Sequence, residues 1–214
     1  MSPETHIGAV VIGRNEGQRL IDCLTSMQGQ VDRIVYVDSG SSDGSQKAAT
    51  GLGAELITLD PSRPFTAARA RNAGLEHLKP TGVAPHHVQI VDGDCVLDPG
   101  WIPAALQFLA DRPEVAVVCG RRRERFPEAS VFNRLIDREW DTPVGAARAC
   151  GGDALMRMTA LQEVGGYDPT LIAGEEPEMC VRLRAAGWTV WRLGTEMTIH
   201  AAAITLIGQW RQRA

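Results

Sequence analysis

The 214-residue chain reads as an α/β domain, with helices flanking a mostly parallel central sheet. Three observations predict this. Short Val- and Ile-rich runs alternate with amphipathic segments through residues 1–120. The runs are apolar along their whole length, as strands buried on both faces are. The polar residues Arg14 to Glu16, Asp38 and Asp92 to Asp94 each follow such a run, and ligands of open α/β sheets bind outside the carboxyl ends of the strands.

Ile7 to Ile12 is the first strand. A helix over Glu16 to Met27 follows, with Leu20, Ile21, Leu24 and Met27 on one face. Arg33 to Val37 is the second strand, ending at Asp38. The polar turn from Ser39 to Gly44 leads into a helix through Ala49 that Ser42 or Asp43 can cap. Glu55 to Leu59 is a third strand, Phe65 to Leu78 a helix that Pro80 ends, and His87 to Val91 a fourth strand. Trp101 to Ala110 is a helix and Val115 to Cys119 a fifth strand.

Beyond residue 120 the alternation fades. Arg121-Arg122-Arg123 precedes a helix over Ala129 to Trp140. Gly151-Gly152-Asp153 and Val164 to Asp168 read as tight turns. A helix from Glu176 to Ala186 stops at Gly187, and Thr189 to Leu193 is a strand. No repeat or low-complexity linker divides the chain, so residues 1–214 are taken as one domain.

A net charge of −4 argues against general nucleic-acid binding. Five cysteines without CxxC spacing suggest reduced thiols in a cytoplasmic protein rather than disulfides or a zinc site. The N-terminus lacks the basic-then-apolar pattern of a signal peptide. The run from Ala201 to Gly208 is too short to span a bilayer. Leu206, Ile207 and Trp210 form an apolar stripe that leaves peripheral association with the inner face of a membrane open; oligomeric state is unread.

Val91-Asp92-Gly93-Asp94 carries the chemistry. Two carboxylates at the end of a buried strand need compensating charge, and a divalent ion that also holds a diphosphate supplies it; a solvated Asp-Gly turn is the plain alternative. Neither G-x-G-x-x-G nor a Walker sequence occurs, so side chains must grip any nucleotide. Asp38 can accept from a base N–H or simply cap its turn. Arg69 and Asn72, three apart on one helix, can meet phosphate or ribose.

Taken in order, Val10 to Glu16, Tyr36 to Gly44, Ala70 to Gly74, Val91 to Asp94, Gly165 to Asp168, Gly174 to Glu176 and Arg182 to Trp188 resemble the family 2 glycosyltransferases, inverting enzymes of the Rossmann-like GT-A fold. The resemblance implies a nucleotide-sugar-binding half over 1–120 and an acceptor-side, catalytic-base half over 121–214. It implies that Asp38 reads the base of a nucleoside diphosphate sugar. Ile12, Arg14, Asn15 and Glu16 would border the nucleoside, with Ser39, Asp92 and Gly93 in the same donor-binding set. Asp94 matches the metal-binding aspartate of a D-x-D motif and His200 a second ligand, to Mn²⁺ or Mg²⁺. Glu176 would be the base, with Glu175 as alternative, because many relatives have aspartate where this chain has Glu176.

Locally, Pro177 fits a first helical residue and puts Glu176 at the cap. An acidic first turn that merely steadies its helix contributes only about 0.3–1 kcal/mol. Gly152, Asp153 and Trp140 are candidates for holding the hydroxyl-bearing acceptor, and the 121–123 arginines for gripping phosphate. Trp188 and Trp191 read as sheet packing. Two rival functions remain: a sugar-1-phosphate nucleotidyltransferase and a non-catalytic nucleotide-sugar-binding module.

Overall fold

The computed structural model describes residues 5–79 and 85–200. Strands β1 (Ile7–Gly13), β2 (Arg33–Asp38), β3 (Glu55–Thr58) and β4 (His87–Asp92) alternate with helices α1 (Gln18–Met27), α2 (Ser45–Gly51) and α3 (Ala67–Leu78). They pair in parallel in the order β3-β2-β1-β4. Val10, Val11, Val35, Val37, Ile90 and Val91 are fully buried, as strands covered on both faces must be. Helix α3 packs on β1 closely enough that a Cβ at Gly74 would fall 2.4 Å from Val10 Cγ1.

The remainder comprises β5 (Cys95–Leu97), α4 (Trp101–Ala110), β6 (Val115–Glu124), α5 (Val131–Glu139), β7 (Gly145–Ala147), β8 (Ala154–Arg157), α6 (Met158–Val164), α7 (Glu175–Ala185) and β9 (Thr189–His200). The sheet continues past β4 as β8-β6-β9-β5, with β7 also on β9, for nine strands among the described residues. Strand β8 is antiparallel to both β4 and β6, while β9 is parallel to β6 and antiparallel to β5 and β7. Six of the nine strands therefore point one way: β1 to β4, β6 and β9. The reversed strand β8 joins the two halves through a shared core.

Several expected boundaries shift for physical reasons. Strands β6 and β9 reach Glu124 and His200, well past Cys119 and Leu193, because they pair with each other along their lengths. Helix α2 starts at Ser45 after Gly44; Asp43 instead holds the Ser45 backbone N–H and hydroxyl. Helix α7 starts at Glu175 after a left-handed Gly174, so Pro177 stands third in the helix and Glu176 is not its cap. Strands β5, β7 and β8 and helix α6 were not anticipated. The Leu206–Trp210 stripe lies outside the described residues. Among the described residues no helix is long and apolar enough to cross a membrane. All five cysteines are free and buried.

Candidate active site

The carboxyl ends of β1, β2 and β4 open onto a cleft of about 650 Å³. Ile12, Arg14, Glu16, Ser39, Asp92, Gly93 and Asp94 line it, and α5 and β9 bring Trp140 and His200 to its far wall. Gly93 is needed for close approach: its N–H reaches the Ile12 carbonyl at 2.8 Å, and a Cβ would sit 3.0 Å from that oxygen. Arg14 stacks over Phe65 at 5.6 Å.

Strand β9 pairs Cys95 with His200, which carries the imidazole beside the preceding aspartate. His200 Nε2 lies 2.9 Å from Asp94 Oδ2. Burial pushes the Asp94 carboxyl up, but the His200 hydrogen bond and charge, with Arg122, outweigh it and hold the carboxyl at about 2. His200 Nδ1 is buried with no hydrogen-bond partner among the described residues.

A carboxylate oxygen and an imidazole nitrogen converging on a cleft suit Mn²⁺ or another divalent cation. The orphaned, buried ring nitrogen marks a site whose polar partners are incomplete. Among the described residues no group of three or more His, Cys, Asp or Glu forms. A cation there would draw its remaining ligands from a diphosphate or water, as Mg²⁺ commonly does.

Behind the cleft floor lies an ionic cluster centred on Arg71, which is 2% exposed. Its Nη1 donates to Glu175 Oε1 at 2.6 Å and Glu176 Oε1 at 2.8 Å, and its Nη2 to Asp92 Oδ1 at 3.1 Å. Tyr167 covers the guanidinium at 5.5 Å. Burial raises the Glu176 carboxyl above its ordinary value even though Arg71 pulls it down. Asp92 is raised as well: burial, with Asp153 adding, outweighs Arg71 and Arg122.

Several candidates are placed elsewhere. Arg69 gives its guanidinium to the carbonyls of Asp60, Arg63 and Pro64. Asn72 clasps the backbone N–H and carbonyl of Tyr167. Their shared helix face therefore fastens loops, and neither lines the cleft; the helix lines it with Ala67 and Ala70 and sends Arg71 into the ionic cluster behind. Asn15, at φ 56°, braces the Ser41–Ser42 turn.

Asp38 is wholly buried, its carboxylate taking hydrogen bonds from Tyr36, Gln46 and the N–H groups of Gly40 and Ser41. Burial raises its carboxyl, but the Ser41, Gln46 and Tyr36 hydrogen bonds win and lower it. Asp153 accepts from the Asp92 N–H and the Thr198 hydroxyl and is too buried to bind sugar hydroxyls. Of the arginine triplet only Arg122 reaches the cleft; Arg121 pairs with Asp137, and Arg123 with Asp137 and Glu196.

Sequence reasoning passed over Arg71, Arg19 and Phe65. The signal for Arg71 was available: two carboxylates at a buried strand end require a cation, and Arg71 sits inside the Ala70–Gly74 motif. Arg19 pairs with Glu16 at 2.6 Å.

The family model described as "Glycosyl transferase family 2" matches residues 9–165, most of the chain. The chain belongs to glycosyl transferase family 2. Among its relatives, the succinoglycan biosynthesis protein ExoA of Rhizobium meliloti (strain 1021) is 26% identical over 203 residues, covering 89% of this chain and 58% of that protein. A pre-mycofactocin glycosyltransferase of Mycobacterium tuberculosis (strain CDC 1551 / Oshkosh) is 27% identical over 199 residues, covering 85% and 39%. The chain thus spans 58% and 39% of these two family members. Among solved structures, the mannosyltransferase PcManGT of Pyrobaculum calidifontis, in complex with GDP-Man and Mn²⁺, superposes with a TM-score of 0.74 at 20% identity, over 99% of this chain and 61% of that one. Glucosyl-3-phosphoglycerate synthase of M. tuberculosis, with Mn²⁺, UDP and glucosyl-3-phosphoglycerate, gives 0.66 at 17%, over 93% and 73%. These likenesses establish the GT-A fold.

Proposed function

We propose that this family 2 member is an inverting, metal-dependent glycosyltransferase, moving a sugar from a nucleoside diphosphate sugar to an acceptor hydroxyl. The observation that carries the reading is the adjacency of the Asp94–His200 pair to the Arg71-held carboxylates through a single residue, Asp92. In this reading charge for a leaving group and a base for an acceptor proton stand back to back. Neighbours whose structures hold GDP-Man or UDP with Mn²⁺ support the same donor class.

In this reading the nucleoside lies against Ile12, Arg14 and Ser39, with Asp38 shaping the Ser39–Ser41 turn. Asp94 and His200 would hold Mn²⁺ or Mg²⁺, which when bound offsets the charge of the departing diphosphate. Arg122, beside Asp92 and Asp94, adds positive charge to the same wall. Glu176 takes the acceptor proton. Its burial raises its affinity for that proton, and Arg71 keeps it ionised and aimed. Glu175, more deeply buried on the same Arg71 nitrogen, positions the arginine. The acceptor approaches from the face opposite the diphosphate, as a single in-line displacement requires.

The test is thermal-shift screening against UDP-, GDP- and dTDP-sugars with and without Mn²⁺, followed by turnover with the stabilising donor. Asp94→Ala is expected to abolish Mn²⁺-dependent stabilisation. Glu176→Gln is expected to keep donor affinity and lose about two to four orders of magnitude in turnover. Unchanged turnover in Glu176→Gln removes that residue from its role. Pyrophosphate release from a sugar phosphate and a nucleoside triphosphate would replace this reading with a nucleotidyltransferase.

A further inference from the structure

A second cavity, of about 290 Å³, lies behind Arg122 and Trp140, which line both it and the donor cleft. Arg192, in the middle of β9, forms part of its wall and is only 3% exposed. Its guanidinium reaches the carbonyls of Trp140 and Leu193 only at 3.5 Å. Asp141, also 3.5 Å away, stands 64% exposed at the surface. A permanently charged group with five N–H donors, held this deep by long contacts, has hydrogen-bonding capacity to spare.

Arg122 adds a second cation to the wall, and its buried Nε has no hydrogen-bond partner. Asp153 and Asp92 face Arg122 at 3.7 and 3.8 Å, and the Asp153 oxygens already accept from the Asp92 N–H and the Thr198 hydroxyl. Gly152 gives the pocket its connection to chemistry. A Cβ there would fall 2.7 Å from Asp92 Oδ2 and 2.9 Å from Arg71 Nη2. The Gly152 backbone thus stands between the pocket and the Arg71 cluster, and the pocket shares Arg122 and Trp140 with the donor cleft.

We propose that this pocket receives a hydroxyl-bearing acceptor that carries an oxyanion, phosphate or carboxylate, seated on Arg192 with Arg122 as the second charge. The inference deepens the glycosyltransferase reading and rests on it for the word acceptor. A planar guanidinium takes either oxyanion bidentately, which orients the acceptor while its hydroxyl stays free to react.

Binding of glycerol 3-phosphate, lactate and glycerol tests this by calorimetry, with and without UDP and Mn²⁺. Saturable binding of glycerol 3-phosphate or lactate in the presence of UDP and Mn²⁺, without binding of glycerol, is expected; which anion binds more tightly identifies the oxyanion. Arg192→Met should weaken it about tenfold or more, with Arg192→Lys intermediate. Gly151→Leu guards against misfolding of the arginine variants. Gly151 lines the pocket, a Cβ there meets nothing within 4 Å, and its φ is not left-handed, so a leucine should fold and crowd out the anion. No anion binding, binding displaced by UDP, or binding unchanged in Arg192→Met and Gly151→Leu overturns the proposal. Failure of UDP to bind instead removes the donor reading, while the anion measurements made without nucleotide still decide the pocket.

Discussion

In residues 7–94 three charged groups of the site stand on turns just beyond strand ends, whereas in residues 115–200 several project from within the strands. Arg14, Glu16 and Asp94 follow β1 and β4; Arg121, Arg122, Arg192 and His200 belong to β6 and β9. A strand-end group keeps access to water, and local sequence places it. A group within a strand is placed by pairing register and must find a partner inside the protein. Register shifts between Cys119 and Arg121 and between Arg121 and Arg122 turn two successive arginines inward. One reaches Asp137 and the other the cleft wall. The first half thus offers a cleft of carboxylates, and the second backs it with fixed cations. Arg71 alone is a buried cation of the first half, and it ties Asp92 to Glu175 and Glu176 of the second.

Removing that tie is the most forceful way to break the comparison. Arg71→Met keeps much of the side-chain volume, strips Glu175 and Glu176 of their buried counter-charge and leaves Asp92 with Arg122 alone at 3.8 Å. Stranding one partner of a buried ion pair typically destabilises by about 3–5 kcal/mol. Arg123→Met, at a half-exposed position with ion pairs of 3.7 and 3.9 Å, should change stability by only about 0–1 kcal/mol. Urea denaturation at neutral pH measures both. Equal effects would show that burial of the charge does not govern its contribution.

The same contrast explains what could be read from sequence. Strands β1, β2 and β4 were legible because each is a continuous apolar run, and the cleft residues Arg14, Glu16, Asp92 and Asp94 because each follows one. Strands β7 and β8 have three and four residues and take their conformation from neighbours distant in sequence, so no periodicity marks them. The placing of Arg69 failed for a related reason. Helical spacing gives a shared face, but the 60–64 loop, not the cleft, lies over that face. Asp38 was legible as a strand-end residue with two readings, and the hydrogen bonds from Gly40 and Ser41 match the turn cap. The opening of α7 shifted by one residue because a left-handed glycine, rather than a side-chain cap, starts the helix.

A smaller effect should appear where the halves meet at the opposite end of the sheet. His87 opens β4, and its partner across the β4–β8 seam is Arg157, with Nη1 3.5 Å from His87 Nε2. Burial first, then the charges of Arg157 and His86, lower the imidazole from 6.5 to about 4. Between those values the unfolded chain binds a proton that the folded chain refuses, so stability rises with pH through that window. The full contribution is present above 6.5, and it is lost progressively as pH falls toward 4. His87→Gln removes the titrating group, so the melting temperature of the wild type should fall more steeply than that of the variant between pH 6.5 and 4. The two should run parallel above pH 7. A constant difference across the whole range would mean that the imidazole titrates alike folded and unfolded, and the seam would then carry no more electrostatic tension than the exposed surface around it.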